Sequence, residues 1–260
     1  MLPAPLTTVL AGVPLHRVSF EETLDLMESY IAERVPSLVC TVNVNQLYAF
    51  RRDAAFRAAY WRARLLVADG RPLLWAAKAS GEPLPAHVPG SRLLPAFAER
   101  AAARGYRLFF LGAAPGIAEE AARLLEGRNP GLNVVGCYSP PLGFECDAAL
   151  NSETIARVKA ATPDALFVAF GAPKQEKWLA THLNELAVPV SVGIGSTFDS
   201  LASRGQAAPD WATRNGLEWY YRFALEPKRL WKRYLLENTR VLPTLACEIL
   251  THRISRLSHR

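Results

Sequence analysis

The sequence predicts an α/β protein with a mostly parallel sheet that is covered by helices on both faces. Short apolar runs alternate with segments of helical periodicity along most of the 260-residue chain. The runs are apolar at consecutive positions, which indicates strands buried on both faces. A change of composition near residue 210 separates a body, residues 1–209, from a basic and aromatic tail, residues 210–260.

Six predicted strands alternate with six predicted helices in the body. The strands cover residues 38–44, 65–69, 107–114, 133–139, 165–171 and 188–195. The helices cover residues 46–63, 72–80, 91–105, 116–131, 152–163 and 174–186. Ligands of such sheets bind beyond the carboxyl ends of the strands. Functional residues are therefore expected at those ends.

Asp69 follows the apolar run LLVA and precedes Gly70. A carboxylate at the end of a buried strand is placed to act as a general base. The alternative is a turn or capping aspartate for the helical segment that begins near Pro72. Spacing alone leaves both interpretations open.

Polar residues also lie at or just beyond the carboxyl ends of three other predicted strands. Thr41 and Asn43 alternate, so we expect them to share one face and hydrogen-bond a sugar or nucleotide, unless they are structural. Gln175 and Glu176 begin a predicted helix, where an amide suits uracil or a sugar hydroxyl but is also an ordinary helix former. Gly195 opens the cluster Gly-Ser-Thr after the last strand.

The segment FLGAAPGIAEE, which contains Gly112, predicts a turn from a strand into a helix. Free N–H groups at the start of such a helix are able to hold a diphosphate. The glycine spacing lacks the full dinucleotide-binding and P-loop patterns. Tight packing of the helix on the strand is therefore an equal alternative.

The net charge of +6 is concentrated in the tail. Residues 214–260 hold ten Lys or Arg against four acidic residues, whereas the rest of the chain carries twenty of each sign. Six aromatic residues between positions 219 and 234 are interleaved with the basic ones. This composition is typical of a helical segment on anionic lipid. Packing against the body and binding of single-stranded nucleic acid are the alternatives.

Several other classes of protein are not indicated. The sequence has neither a basic leader before an apolar segment nor a run of about 18 apolar residues, so we expect a cytoplasmic protein that does not span the membrane. The cysteines show no metal-ligand spacing and the chain has no DxD motif, so neither a metal nor a cofactor is predicted. The absence of a GxSxG elbow argues against a hydrolase.

Several motifs occur in a fixed order along the chain, at residues 41–43, 68–70, 81–91, 170–176, 193–199, 216–222, 226–229 and 232–234. Together they resemble the WecG/TagA/CpsF family, glycosyltransferase family 26, over residues 9–240. The resemblance implies a Rossmann-like, inverting, metal-independent transferase whose helical C-terminal appendage meets the membrane.

The resemblance also implies the substrates and the site. The transferase would move N-acetylmannosamine, a related uronic acid or glucose from a UDP donor to a sugar on undecaprenyl diphosphate, at the inner face of the plasma membrane. Asp69 corresponds to the general base. The expected substrate-binding residues are Thr41, Asn43, Gly70, His87, Arg92, Gly112, Gln175, Glu176 and Gly195. The appendage arginines expected over the diphosphates are Arg222, Arg229 and Arg233.

Three positions depart from the usual family sequence. His87 stands where arginine usually precedes Val-Pro-Gly, Arg92 replaces an acid, and Ala207 replaces the arginine of Arg-Ala-Pro. These changes keep a second hypothesis open, a non-catalytic nucleotide-sugar-binding scaffold of a polysaccharide assembly. We expect no nucleic-acid partner, and a homo-oligomer is compatible with the sequence.

Overall fold

A six-stranded parallel sheet forms the centre of the protein in the computed structural model, which describes residues 5–202. A separate two-stranded hairpin precedes it. The strands are β1 (Thr7–Leu10), β2 (Val13–His16), β3 (Ser37–Val42), β4 (Leu65–Ala68), β5 (Arg107–Gly112), β6 (Asn133–Tyr138), β7 (Ala165–Ala169) and β8 (Val190–Gly193). The order across the sheet is β4-β3-β8-β7-β5-β6, and every adjacent pair is parallel. The predicted fold class is confirmed.

Helices connect the strands. They are α1 (Phe20–Glu33), α2 (Val44–Arg52), α3 (Ala54–Arg62), α4 (Arg71–Ala79), α5 (Gly90–Arg104), α6 (Ile117–Arg128), α7 (Ala148–Ala161), α8 (Lys174–Leu186) and α9 (Thr197–Ala202), with a 3-10 turn at Phe144–Cys146. The tail, and with it the predicted helical appendage, lies outside the described residues.

The sheet separates two hydrophobic cores. Along β3, Leu38, Cys40 and Val42 face one core, whereas Val39 faces the other. The first face carries the hairpin, α2, α3, α4, α7 and α8, and the second face carries α1, α5, α6 and α9. Because both faces are covered, the strands are apolar at nearly every position, as the sequence pattern indicated.

The prediction of a single helix over residues 46–63 is wrong, because Asp53 divides this segment into α2 and α3. Asp53 has extended backbone angles (φ −110°, ψ 108°) and ends α2. Its carboxylate accepts a hydrogen bond from the Phe56 N–H and caps α3, while Lys177 pairs with its second oxygen at 2.9 Å. A capping side chain thus breaks a segment whose apolar periodicity runs through.

The sequence reasoning did not anticipate the N-terminal hairpin. Ala11 and Gly12 form its two-residue loop, and both have positive φ angles, as a type I′ turn requires. The hairpin covers β4 at the edge of the sheet, where the His16 Nδ1 accepts a hydrogen bond from the Leu66 N–H at 3.0 Å. Burial lowers the pKa of His16, so the ring stays neutral and able to accept this bond.

Gly112 ends β5 in a conformation that a larger residue cannot share. Its φ is +103°, and an added Cβ would lie 2.8 Å from the Phe170 ring and 2.9 Å from the Ala169 main chain. We expect Gly112→Ala to lower the free energy of unfolding by at least about 2 kcal/mol. Gly127→Ala is the control, since its Cβ would meet nothing within 4 Å and should add about 0.5 kcal/mol in a helix. Urea unfolding measures both, and equal stabilities of the two variants would contradict this account of β5.

Candidate active site

The carboxyl ends of the six parallel strands lie along one edge of the sheet, here called the carboxyl edge. Two adjacent strands leave this edge toward opposite faces: β3 leads into α2 on the first face, and β8 leads into α9 on the second. Such a divergence opens a crevice, which is where open α/β sheets bind ligands. Thr41, Asp69 and Gly195 lie at the strand ends beside this divergence.

The structure separates the two residues that were expected to share a strand face. β3 ends at Val42, so Asn43 is not a strand residue but the N-cap of α2. Its carboxamide oxygen accepts hydrogen bonds from the N–H groups of Asn45 and Gln46. Thr41 is buried, and its hydroxyl donates to the Gly193 carbonyl at 3.4 Å. Substrate contact by either side chain stays a prediction.

Gln175 and Glu176 are buried in the first face, directly below the carboxyl edge. The Gln175 Oε1 accepts hydrogen bonds from the N–H groups of Gly171 and Gly195, both at 3.1 Å. Its Nε2 donates to the Glu176 Oε1 at 2.9 Å, and the same oxygen accepts from the Gln46 Nε2 at 2.9 Å. We call Gln46, Gln175 and Glu176 the buried amide network. It links the loops that follow β3, β7 and β8.

The Glu176 carboxyl is fully buried, and its second oxygen, Oε2, has no hydrogen-bond partner within residues 5–202. Desolvation raises its pKa to about 6, although the hydrogen bonds to its Oε1 oppose this shift. A neutral carboxyl group is therefore favoured here more than in water. Direct substrate binding by Gln175 and Glu176 stays a prediction, since the structure shows both joining loops together.

Asp69 follows β4 and stays half-buried, with 30 % of its side chain exposed. Its N–H donates to the Val42 carbonyl at 2.6 Å, which continues the ladder between β3 and β4 past the strand end. The structure brings His87 to it: the distance from His87 Nε2 to Asp69 Oδ1 is 3.6 Å, and 25 % of the His87 side chain is exposed. A carboxylate with this access is able to take a proton from a bound hydroxyl.

Helix N-termini around the carboxyl edge differ in charge. The caps of α4 and α5, Gly70 and Pro89, provide no side-chain hydrogen bond, and neither helix has an acidic residue in its first turn. Helix α6, which follows the Gly112 turn, has Glu119 and Glu120 in its first turn. Because anions favour the positive end of a helix dipole, the starts of α4 and α5 suit a diphosphate better than the start of α6.

The remaining predicted site residues are placed as follows. Arg92, in the first turn of α5, holds its guanidinium over the Phe20 ring, 4.8 Å from the centroid. The structure therefore places the Arg92 charge against α1, and a role in binding substrate stays a prediction. Arg222, Arg229 and Arg233 lie outside the described residues. Within residues 5–202, no three His, Cys, Asp or Glu side chains are grouped to hold a metal ion.

Sequence reasoning missed Gln46 as a member of this site. Its Oε1 accepts a hydrogen bond from the Asn43 N–H at 2.8 Å, which completes a capping box with the Asn43 side chain. The spacing Asn-x-x-Gln is the sequence signal of such a box and was available. The contact of Gln46 with Glu176, 130 residues away, has no comparable local signal.

The fold and the carboxyl edge define an α/β protein with a Rossmann-like parallel sheet, and comparison with known proteins gives its family. The profile of the Glycosyl transferase WecG/TagA/CpsF family matches residues 8–255. The chain belongs to this family of glycosyltransferases, as the sequence motifs predicted.

Three relatives carry the name N-acetylglucosaminyldiphosphoundecaprenol N-acetyl-beta-D-mannosaminyltransferase. The protein of Bacillus subtilis is 27 % identical over 230 residues, covering 88 % of this chain and 87 % of the relative. The protein of Bacillus spizizenii is 29 % identical over 210 residues, covering 81 % of this chain and 79 % of the relative. The protein of Staphylococcus aureus (strain NCTC 8325) is 26 % identical over 224 residues, covering 85 % of each chain.

The raised pKa of Glu176 predicts a pH-dependent stability. The pKa rises from an ordinary 4.5 to about 6 in the folded state, so the folded protein binds more protons between these values than the unfolded chain. Stability from this group is therefore greatest below about pH 4.5 and is lost as the pH rises through about 6. The total loss is on the order of 2 kcal/mol, at about 1.4 kcal/mol per pKa unit.

Glu176→Gln removes this titration, so its free energy of unfolding relative to the unchanged protein should rise between pH 5 and pH 8. Urea unfolding at four pH values measures the difference. Glu153→Gln is the control, because Glu153 is an exposed helix residue paired with Arg157. A pH-independent difference for Glu176→Gln would show that the buried carboxyl does not titrate in this range.

Proposed function

We propose that this chain is an inverting transferase that moves a sugar from a UDP donor to the sugar of an undecaprenyl-diphosphate-linked acceptor. The transferred sugar is N-acetylmannosamine, a related uronic acid or glucose. Family membership supports sugar transfer. The names of the three relatives, each a transferase of N-acetylmannosamine onto a diphosphoundecaprenol-linked sugar, support the class of acceptor and favour N-acetylmannosamine as the transferred sugar in this proposal.

The position of Asp69 carries the proposal. Its carboxylate is anchored through the main chain to the end of β3, is partly exposed and lies at the carboxyl edge beside the divergence of β3 and β8. As general base, Asp69 takes the proton of the acceptor hydroxyl while the hydroxyl oxygen attacks the anomeric carbon. UDP then leaves from the opposite face of the sugar, which inverts the anomeric configuration.

The diphosphate needs positive charge as it leaves. The starts of α4 and α5 both follow Asp69 in the chain and present helix N-termini without acidic residues in the first turn. Fixed dipoles of this kind stabilise developing negative charge in a site that excludes water. In the proposal, Arg222, Arg229 and Arg233 of the tail complete this environment without a metal ion.

The tail also supplies the proposed membrane contact. Residues 214–260 of the tail carry ten Lys or Arg against four acidic residues, and each Lys or Arg near an anionic surface contributes about 1 kcal/mol. Within residues 5–202, no helix is long and apolar enough to cross a membrane. We propose peripheral binding to the inner face of the plasma membrane, where a lipid-linked acceptor is accessible.

Asp69→Asn should reduce turnover by about 10²-fold or more, because the variant loses its general base. Turnover is measured as UDP release and as transferred sugar, with UDP-N-acetylmannosamine and a short-chain prenyl-diphosphate-linked acceptor. UDP binding and thermal stability should stay unchanged. Asp147→Asn is the control, since Asp147 caps α7 and asparagine caps equally well.

Two results would contradict this assignment. Full turnover of a folded Asp69→Asn variant would remove Asp69 as the base. UDP binding by the unchanged protein without transfer from any of the UDP-sugars would instead favour a non-catalytic scaffold, the alternative that the changes at His87 and Arg92 left open.

Replacement of Arg222, Arg229 or Arg233 by alanine should lower turnover even with a water-soluble acceptor, because the loss lies in stabilisation of the diphosphate. Arg253→Ala and Arg256→Ala, in the same tail but outside the family motifs, are the matched controls. Removal of residues 210–260 should abolish sedimentation with anionic liposomes. If the three variants lose liposome binding but keep full turnover on the soluble acceptor, the tail is an anchor without a role in the site.

A further inference from the structure

His87 is the residue that the structure pairs with the Asp69 carboxylate. Along the chain, Asp69 precedes α4 and His87 follows it, 18 positions later. In space, the His87 Nε2 lies 3.6 Å from the Asp69 Oδ1. Within residues 5–202, this carboxylate forms no ion pair with a lysine or arginine. Hydrogen bonds of a catalytic site are often long in the ligand-free enzyme and shorten when substrate binds.

The main chain on each side of this pair is fixed. The Asp69 N–H donates to the Val42 carbonyl, and the Val88 N–H, next to His87, donates to the Ala68 carbonyl at 2.8 Å. Val88 is buried in the core of the second face, with 1 % of its surface exposed. The main chain next to His87 is therefore held beside the end of β4, and the ring stays near the carboxylate.

A carboxylate that acts as a general base must present one oxygen to the acceptor hydroxyl in a defined direction. The Nε2–Oδ1 distance of 3.6 Å is longer than a hydrogen bond. When it shortens to hydrogen-bonding distance, Oδ2 is left as the free oxygen and rotation of the carboxylate is restricted. In this role the imidazole Nε2–H is the donor and the Asp69 Oδ1 is the acceptor.

We propose that His87 is a positioning residue for Asp69 in sugar transfer, rather than a group that contacts the substrate. The inference rests on the proposed function, because it assigns His87 to the base of that reaction. The proton still moves from the acceptor hydroxyl to Asp69, and His87 only donates a hydrogen bond to Oδ1.

The test compares kcat and KM of His87→Ala and His87→Gln with those of the unchanged protein. His87→Ala should lower kcat about 10-fold or more with little change in KM for either substrate, because a misdirected base loses transition-state stabilisation. His87→Gln should restore most of kcat, since its amide N–H reaches the place of the imidazole Nε2–H. His182→Ala, which breaks another histidine–carboxylate pair, with Glu185 at 3.0 Å, should leave kcat unchanged.

The double variant Asp69→Asn/His87→Ala should be no slower than Asp69→Asn, because His87 acts through Asp69. Additive losses, a change in KM alone, or normal kcat in His87→Ala would overturn the proposal. Independently of turnover, the ¹⁵N chemical shift of the His87 Nε2 in Asp69→Asn should differ from its value in the unchanged protein. In Asp147→Asn the shift should equal that of the unchanged protein. An unmoved signal would overturn the pairing itself, whereas full activity of Asp69→Asn would overturn the proposed function.

Discussion

One carboxyl oxygen, the Oε1 of Glu176, determines how the carboxyl edge is arranged. It accepts hydrogen bonds from the side-chain amide N–H groups of Gln46 and Gln175. It thereby fixes which end of each amide points toward the main chain. With their nitrogens directed at Glu176, both amides turn their oxygens to backbone N–H groups of Asn43, Gly171 and Gly195. Three loops from three strands are thus joined through one atom.

This arrangement places strict demands on the neighbouring strand. An added Cβ at Gly193 would lie 2.7 Å from the Gln175 Nε2, so β8 must end in glycine for the amide to occupy its place. Burying a carboxyl group costs free energy unless hydrogen bonds compensate, and here only one of its two oxygens is paired within the described residues. Desolvation therefore outweighs the hydrogen bonds and raises the pKa of the group. The buried Glu176 carboxyl thus joins the loops after β3, β7 and β8 but lowers the stability of the folded protein where it is ionised.

Sequence patterns predicted most of the sheet and its helices because apolar periodicity is a local signal. They gave the positions of β3 to β8 within a few residues, but the extended Asp53 was not visible in the periodicity of residues 46–63. Helix α1 was missed although Ser19 and Glu22 form a capping box that the sequence displays. The buried amide network and the contact of His87 with Asp69 join residues that are distant in the chain, and no local pattern reports them.

The two sides of the carboxyl edge differ in how they use polar groups. On the first face, Gln46, Gln175 and Glu176 are buried, and apart from the unpaired Glu176 Oε2 their hydrogen bonds join parts of the protein to each other. At the end of β4, Asp69 and His87 keep a quarter or more of their side chains exposed. Groups that are already satisfied have little capacity left for a substrate, whereas partly exposed groups do. This contrast supports the proposal that Asp69 carries the chemistry of the site, while the buried amide network joins the loops at the carboxyl edge.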